Sequence, residues 1–259
     1  MKNNPISGAL YLFKGFNLIK QPGIRKYVAI PLMINTLIFA TLGFFLIGWF
    51  GDFIDQLMLG LPEWLQWLSG IIWLVVAAAC LVLVYFSFTI LANFVSAPFN
   101  GILSEAIEEH LTGNKLNDDS PWHAAITQAP AAIKEEFRKL WYSVTRSLPF
   151  LILMFIPGIN FIASGLWMLF GAWMMAIQYA DYPLGNHQVA FKRQREILQQ
   201  KRFLVLGFGG AVMVGTMIPF INFIILPCAV AGATAMYVEH FKDSQDAITQ
   251  DRRASDQLP

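Results

Sequence analysis

The sequence predicts an all-α integral membrane protein. Two long transmembrane helices are joined by two Pro/Asn-broken, re-entrant helical hairpins and a cytoplasmic helical extension. Three observations carry this reading. Of the 259 residues, 56% are hydrophobic and 14% charged, against roughly 25% charged in an average soluble protein. The charges are segregated, because 27–51, 64–104, 147–180 and 203–238 contain none. Each of these runs exceeds the ~20 apolar residues that cross a bilayer. Finally, Ile156-Pro157-Gly158-Ile159-Asn160-Phe161 recurs as Ile218-Pro219-Phe220-Ile221-Asn222-Phe223 inside the last two runs.

The net charge of +1 excludes a generally basic nucleic-acid binder. The first apolar run begins too late for a cleavable signal peptide and leads straight into a full span. Cys80 and Cys228 both lie in apolar runs, which reads as buried free thiols rather than a disulfide or metal framework.

Residues 1–20 form an amphipathic N-terminal helix. Leu10, Phe13, Phe16 and Ile19, joined by Leu12, share a face, and Lys14 and Lys20 add charge. The pattern fits a helix at the membrane surface or one packed on the protein's own helices, and both stay open. Pro22-Gly23 breaks the chain before the first long membrane helix, 24–50, whose first turn carries Arg25 and Lys26. Cations work against the dipole at that end unless an anion joins them. Free amides, a glycine that permits close approach and an arginine fork suit a tetrahedral dianion. The same two cations also suit topology and headgroup anchoring, and the two roles are compatible.

Asp52, Asp55 and Glu63 follow in a segment without Lys or Arg, bracketed by Trp49, Trp64 and Trp67, as interface aromatics should be. The second long helix covers 71–103, with Pro98 and Asn100-Gly101 as possible kinks or ends. Residues 104–146 are the soluble helical extension. SEAIEEHLTGN reads as a helix exposing Glu105, Glu108 and Glu109, with Gly113 as its stop. Leu116 to Pro121 is a loop in which Asp119 or Ser120 caps a second helix starting at Pro121. Lys134 to Lys139 mark its solvated face.

The broken hydrophobic hairpins are 147–180 and 203–238. Proline and asparagine in hydrocarbon need a reason, since proline breaks the helix ladder and asparagine needs partners. Either the chain enters the membrane, turns and leaves on the same side, or a kinked helix crosses. Lys plus Arg number five before the first span, none in 51–63, five in 104–146, five in 181–202 and three beyond 238. Re-entrant hairpins place every basic segment on one side, as the positive-inside rule prefers. The glycines of Gly207-Phe-Gly209-Gly210 and the alanines from Ala229 to Ala235 read as helix-packing surface. The tail, 242–259, is polar.

No metal-ligand spacing unites His110, His123, His187 and His240, and the chain contains no GxSxG, Walker loop or lipidation box. The residues therefore give no reason to expect an enzyme, a cofactor or a metal, and any transport is not powered by ATP bound to this chain.

Over nearly its whole length the chain resembles the CysZ family of bacterial sulfate permeases. The resemblance rests on GALYLFKGFNLI, PGIRKYVAIP, SAPFNGILSEAIEEHLTG, the two IPxINF turns and ADYPLGNH, in this order. It implies a multi-pass inner-membrane protein that imports sulfate for cysteine biosynthesis without an ATPase subunit. It also implies an all-helical homo-oligomer in the lipid bilayer, with sulfate at the Gly-x-Arg loop, here Gly23-Ile24-Arg25. Lys26 would add field. Asn160 and Asn222 line a path or close their own turns, with turn closure the stronger reading. Glu105 repels anions or gates an exit, or simply lies on a solvated face. The rival readings are a permease for another oxyanion such as sulfite or thiosulfate, and a non-transporting scaffold that binds anionic headgroups.

Overall fold

The computed structural model describes residues 3–59, 67, 69–115, 121–218 and 221–243. Trp64, the loop ahead of Pro121 with its Asp119 and Ser120 caps, Pro219 and most of the polar tail lie outside the described residues. The described residues form α1 (Pro5–Ile19), α2 (Arg25–Leu59), α3 (Ser69–Thr112), α4 (Pro121–Met154), α5 (Asn160–Asn186), α6 (Phe191–Gln199), α7 (Arg202–Thr216) and α8 (Asn222–His240), with no strand among them. Three apolar stretches, Arg25–Phe45, Asn160–Asn186 and Asn222–His240, are long enough to cross a membrane. The protein is an all-α membrane protein.

Two compact units are present, one within Met1–Val28 and Asn100–Pro259, the other within Ala29–Phe99. In the second unit, 29–51 of α2 and 69–99 of α3 carry no charge, and no described side chain there is buried. A helix hydrophobic all round belongs in lipid or against other helices. Pro31 and Pro98 both lie inside their helices, so neither ends one.

The first unit is built on two antiparallel helix pairs. In the first, α4 and α5 are joined by a turn at Gly158, whose φ of 87° suits a residue without Cβ. The charged ends of this pair meet where Lys139 Nζ lies 2.7 Å from Asp181 Oδ2. In the second pair, α7 and α8, the Lys201 ammonium reaches the His240 ring and carbonyl at 3.2 and 3.3 Å. Each hairpin thus brings its two charged ends together and sends its apolar turn the other way.

Small residues set the packing. A Cβ on Gly8 would sit 1.9 Å from the Leu204 carbonyl of α7, and one on Gly15 2.0 Å from the Cys228 carbonyl of α8. Gly207 meets Pro5, Gly232 meets Tyr11, and Gly209 meets Ala172 in the same way. These contacts let α1 lie against both arms of the second hairpin, and α7 against α5. The face of α1 that packs is therefore Gly8, Tyr11, Leu12, Gly15, Leu18 and Ile19. Leu10, Phe13 and Phe16 of the hydrophobic stripe point outward. Asn4 caps α1 through the Ile6 amide, and Asn3 accepts from the Leu204 amide at the start of α7.

Candidate functional site

The loop between α1 and α2 is a tight reversal. The Gln21 amide donates to the Leu18 carbonyl at 3.1 Å. The Gln21 carbonyl then accepts from Ile24 and Arg25 at 3.2 and 3.3 Å. Gly23 sits between them with a φ of 94°. No atom lies within 4 Å of a Cβ built there. Glycine is thus needed for the backbone conformation and not for close packing. Ile24 is 3% exposed and belongs to the core cluster that includes Leu18, Ile19 and Cys228. It pins the loop to the first unit, while Gly23, Arg25 and Lys26 are exposed.

Among the described residues, the Gly23 and Lys26 amides make no backbone hydrogen bond. Arg25 and Lys26 enter none of the ion pairs. Lys26 instead lies 4.9 Å from the centre of the Tyr27 ring, and Lys20 lies 3.6 Å from that of Phe16. Three cations and two unpaired amides around one exposed turn can accept an oxyanion without a carboxylate to displace.

The two asparagines lie at the hairpin turns. The Asn160 amide donates to the Ile156 carbonyl and the Asn222 amide to that of Ile218, each at 3.2 Å. Each asparagine closes its turn through its backbone. The Asn160 side chain is exposed. The side-chain oxygen of Asn222 is buried without a partner among the described residues.

Glu105 is half-buried on α3, and its carboxyl is pushed above the ordinary carboxylate range by burial, then by Glu109 and Glu108. Glu108 does not lie on a solvated face. It is 1% exposed, and its oxygens lie 3.0 Å from His187 Nε2 and from the Lys242 ammonium. Burial alone would push this carboxyl up, but His187 and Lys242 together hold it below its usual value. Lys139 is likewise buried, between Asp181 and Glu136. Burial works against its ammonium, yet the two carboxylates keep it above its ordinary value.

Two sequence segments turn out to be each other's partners. Asn100 donates to Tyr182 at 3.1 Å, Asn186 donates to the Gly101 carbonyl at 3.0 Å, and Glu108 takes His187. Ser104 and Thr234 share a buried hydrogen bond of 2.8 Å one turn away. The polar residues of ADYPLGNH thereby fix the end of α3 to the end of α5.

The family model described as "Sulfate transporter CysZ/Etoposide-induced protein 2.4" matches residues 11–227. A protein of Pseudomonas aeruginosa LESB58 named "Sulfate transporter CysZ" is 44% identical over 236 residues, covering 90% of this chain and 95% of its own. Proteins of the same name are 41% identical in Pectobacterium atrosepticum, covering 92% of this chain and 86% of their own, and in Pseudomonas fluorescens, covering 95% and 98%. The match takes in the Gly23 loop, both hairpin turns and the polar joint between α3 and α5, and the chain belongs to the family of sulfate transporter CysZ and etoposide-induced protein 2.4.

Proposed function

We propose that this protein conducts sulfate across the bacterial inner membrane, supplying cysteine biosynthesis, by passive or ion-coupled passage without an ATPase of its own. The shared name of the relatives supports the substrate. The observation that carries the reading to residues is the Gly23 turn, which leaves two amides unpaired beside Arg25. In this reading the sulfate sits on the Gly23 and Lys26 amides and the Arg25 guanidinium. The Lys26 ammonium adds field, and buried Ile24 holds the turn in place. So few donors on an exposed loop bind modestly, which suits an ion that has to leave again.

The hairpins are read as re-entrant; α5 and α8 are long enough to cross, but the apolar part of the other arm of each hairpin is short. From Arg146 to the end of α4 at Met154 is eight residues, about 12 Å at 1.5 Å per residue. A turn that crossed a ~30 Å hydrocarbon core would drag Arg146 deep into it. The 15 residues of α7 reach about 22 Å, also short of the core thickness. The exposed, charge-free stretches 29–51 of α2 and 69–99 of α3 call for lipid and other copies of the chain around them, so the working form is read as a homo-oligomer in the bilayer.

The test is sulfate flux into liposomes containing purified protein, wild type beside Arg25→Ala. The reading expects flux in the wild type and at least a tenfold loss in the variant. Undiminished flux in the variant would demote the loop to a membrane anchor. A folded wild type that passes no sulfate would point to a non-transporting, headgroup-binding role. Competition by sulfite or thiosulfate reports which oxyanion is preferred.

A further inference from the structure

We propose that Arg146 and Arg195, gathered on the ring of Tyr142, bind the phosphate of an anionic phospholipid at the bilayer surface. The Arg195 guanidinium carbon lies 4.4 Å from the centre of the Tyr142 ring and 5.1 Å from that of Phe191. These rings meet edge to face at 5.6 Å. Arg146, one turn along α4 from Tyr142, approaches the same tyrosine at 5.9 Å. Two like charges therefore converge on one ring, one from α4 and one from α6.

Neither enters an ion pair among the described residues; the Glu196 carboxylate beside Arg195 is taken by Arg193. Three neighbouring cations are paired: Arg138 with Glu135, Lys139 with Glu136 and Asp181, and Arg193 with Glu196. Glu135 also accepts from the Phe191 amide, so the nearby carboxylates are already engaged. The Arg195 Nε is buried and has no hydrogen-bond acceptor among the described residues. Cation–π contact with the two rings holds the guanidinium in one place and leaves its terminal nitrogens to bind. A planar fork held in one place and lacking an acceptor suits a phosphate oxygen pair.

Position in the chain selects a lipid over a free ion. Arg146 is the last charge before the charge-free 147–180 run, which places it at the polar boundary of the bilayer. Trp141, Val144, Leu148 and Ile152 of α4 are exposed and apolar. They offer an acyl chain a surface leading away from the two guanidiniums, with an interface tryptophan at its head. Basic side chains at the membrane surface favour anionic over zwitterionic lipid.

The experiment is native mass spectrometry of the full-length protein in detergent with equal phosphatidylglycerol and phosphatidylcholine. Wild type is expected to retain phosphatidylglycerol roughly tenfold over phosphatidylcholine, and Arg146→Gln/Arg195→Gln to retain the two about equally. Arg195 is packed on two rings, so Arg146→Gln alone, at an exposed position, is the variant least able to disturb folding. It should lose several-fold of the preference, and Arg193→Gln, whose partner is Glu196, should lose none. The proposal is overturned if wild type shows no preference or if Arg146→Gln keeps it intact. A second arm titrates inorganic sulfate and phosphate. Displacement of the lipid by millimolar free anion in wild type would assign the cluster to a soluble oxyanion and overturn the lipid reading.

Discussion

Replacing Glu108 by glutamine keeps the shape and removes the charge that joins three helices. The carboxylate is almost fully enclosed, while its partners His187 and Lys242 keep 19% and 27% of their side-chain surface. Breaking a fully buried ion pair costs about 3–5 kcal/mol. Partial rehydration of both partners lowers the expected loss to about 2–3 kcal/mol, or a fall of ~5–10 °C in the melting temperature. The effect carries a pH signature. The carboxyl is held below its unfolded value by His187 and Lys242 against the opposing effect of burial. Its contribution is therefore complete above the ordinary carboxylate range near 4.3 and lost as pH falls through the lowered folded value. Thermal unfolding of wild type and Glu108→Gln should differ fully at pH 7, and the gap should close in acid, below the ordinary carboxylate range. Equal melting temperatures at pH 7, or a gap that persists unchanged in acid, would refute the account.

On the same helix Glu105→Gln should act in the opposite sense. Burial, then Glu109 and Glu108, raises its pKa, so the ionised side chain weakens the fold above the ordinary carboxylate range, and the variant should melt higher at pH 7 but not at pH 4. Gly15→Ala should lower stability by about 1–3 kcal/mol, because the new Cβ meets the Cys228 carbonyl. Gly165→Ala, with nothing within 4 Å of a Cβ, should melt at or slightly above wild type. Gly23→Ala should cost about 1–2 kcal/mol through backbone strain alone, with sulfate flux falling several-fold in the same liposome assay.

The sequence was most legible where local chemistry decides the structure. Charge-free runs, Pro22-Gly23, Gly113 and the repeated Ile-Pro-x-Ile-Asn-Phe mark helices and breaks without reference to the rest of the chain. It was undecided where one helix carries two apolar faces. Of the stripe on α1, Leu12 and Ile19 pack inward with Gly8 and Gly15, while Leu10, Phe13 and Phe16 point outward. In water the largest apolar residues seek the interior. In lipid they lose little by staying outside, and close approach of small residues drives packing. Glu108 and Lys139 were hidden for another reason. Charges three and four apart on a helix look the same whether they face water or partners. The partners of Glu108 lie 79 and 134 residues further along, beyond any local period.

The turn proposed to hold the anion depends on how α1 packs. Arg25 can present its guanidinium at a fixed place only if the preceding turn is held, and a two-residue Pro-Gly break cannot hold itself. The holding comes from behind. Ile24 is sunk in the core, and α1 leads into the turn with Gly8 against α7 and Gly15 against α8. A larger residue at either glycine would push α1 off the second hairpin and move the turn with it. The same feature that makes α1 look unremarkable in composition, glycine where a soluble helix would carry leucine, places the cations of the loop. On the proposed sulfate reading, Gly15→Leu, far from the turn itself, is expected to lower flux as Arg25→Ala does, because it displaces the helix that carries the turn.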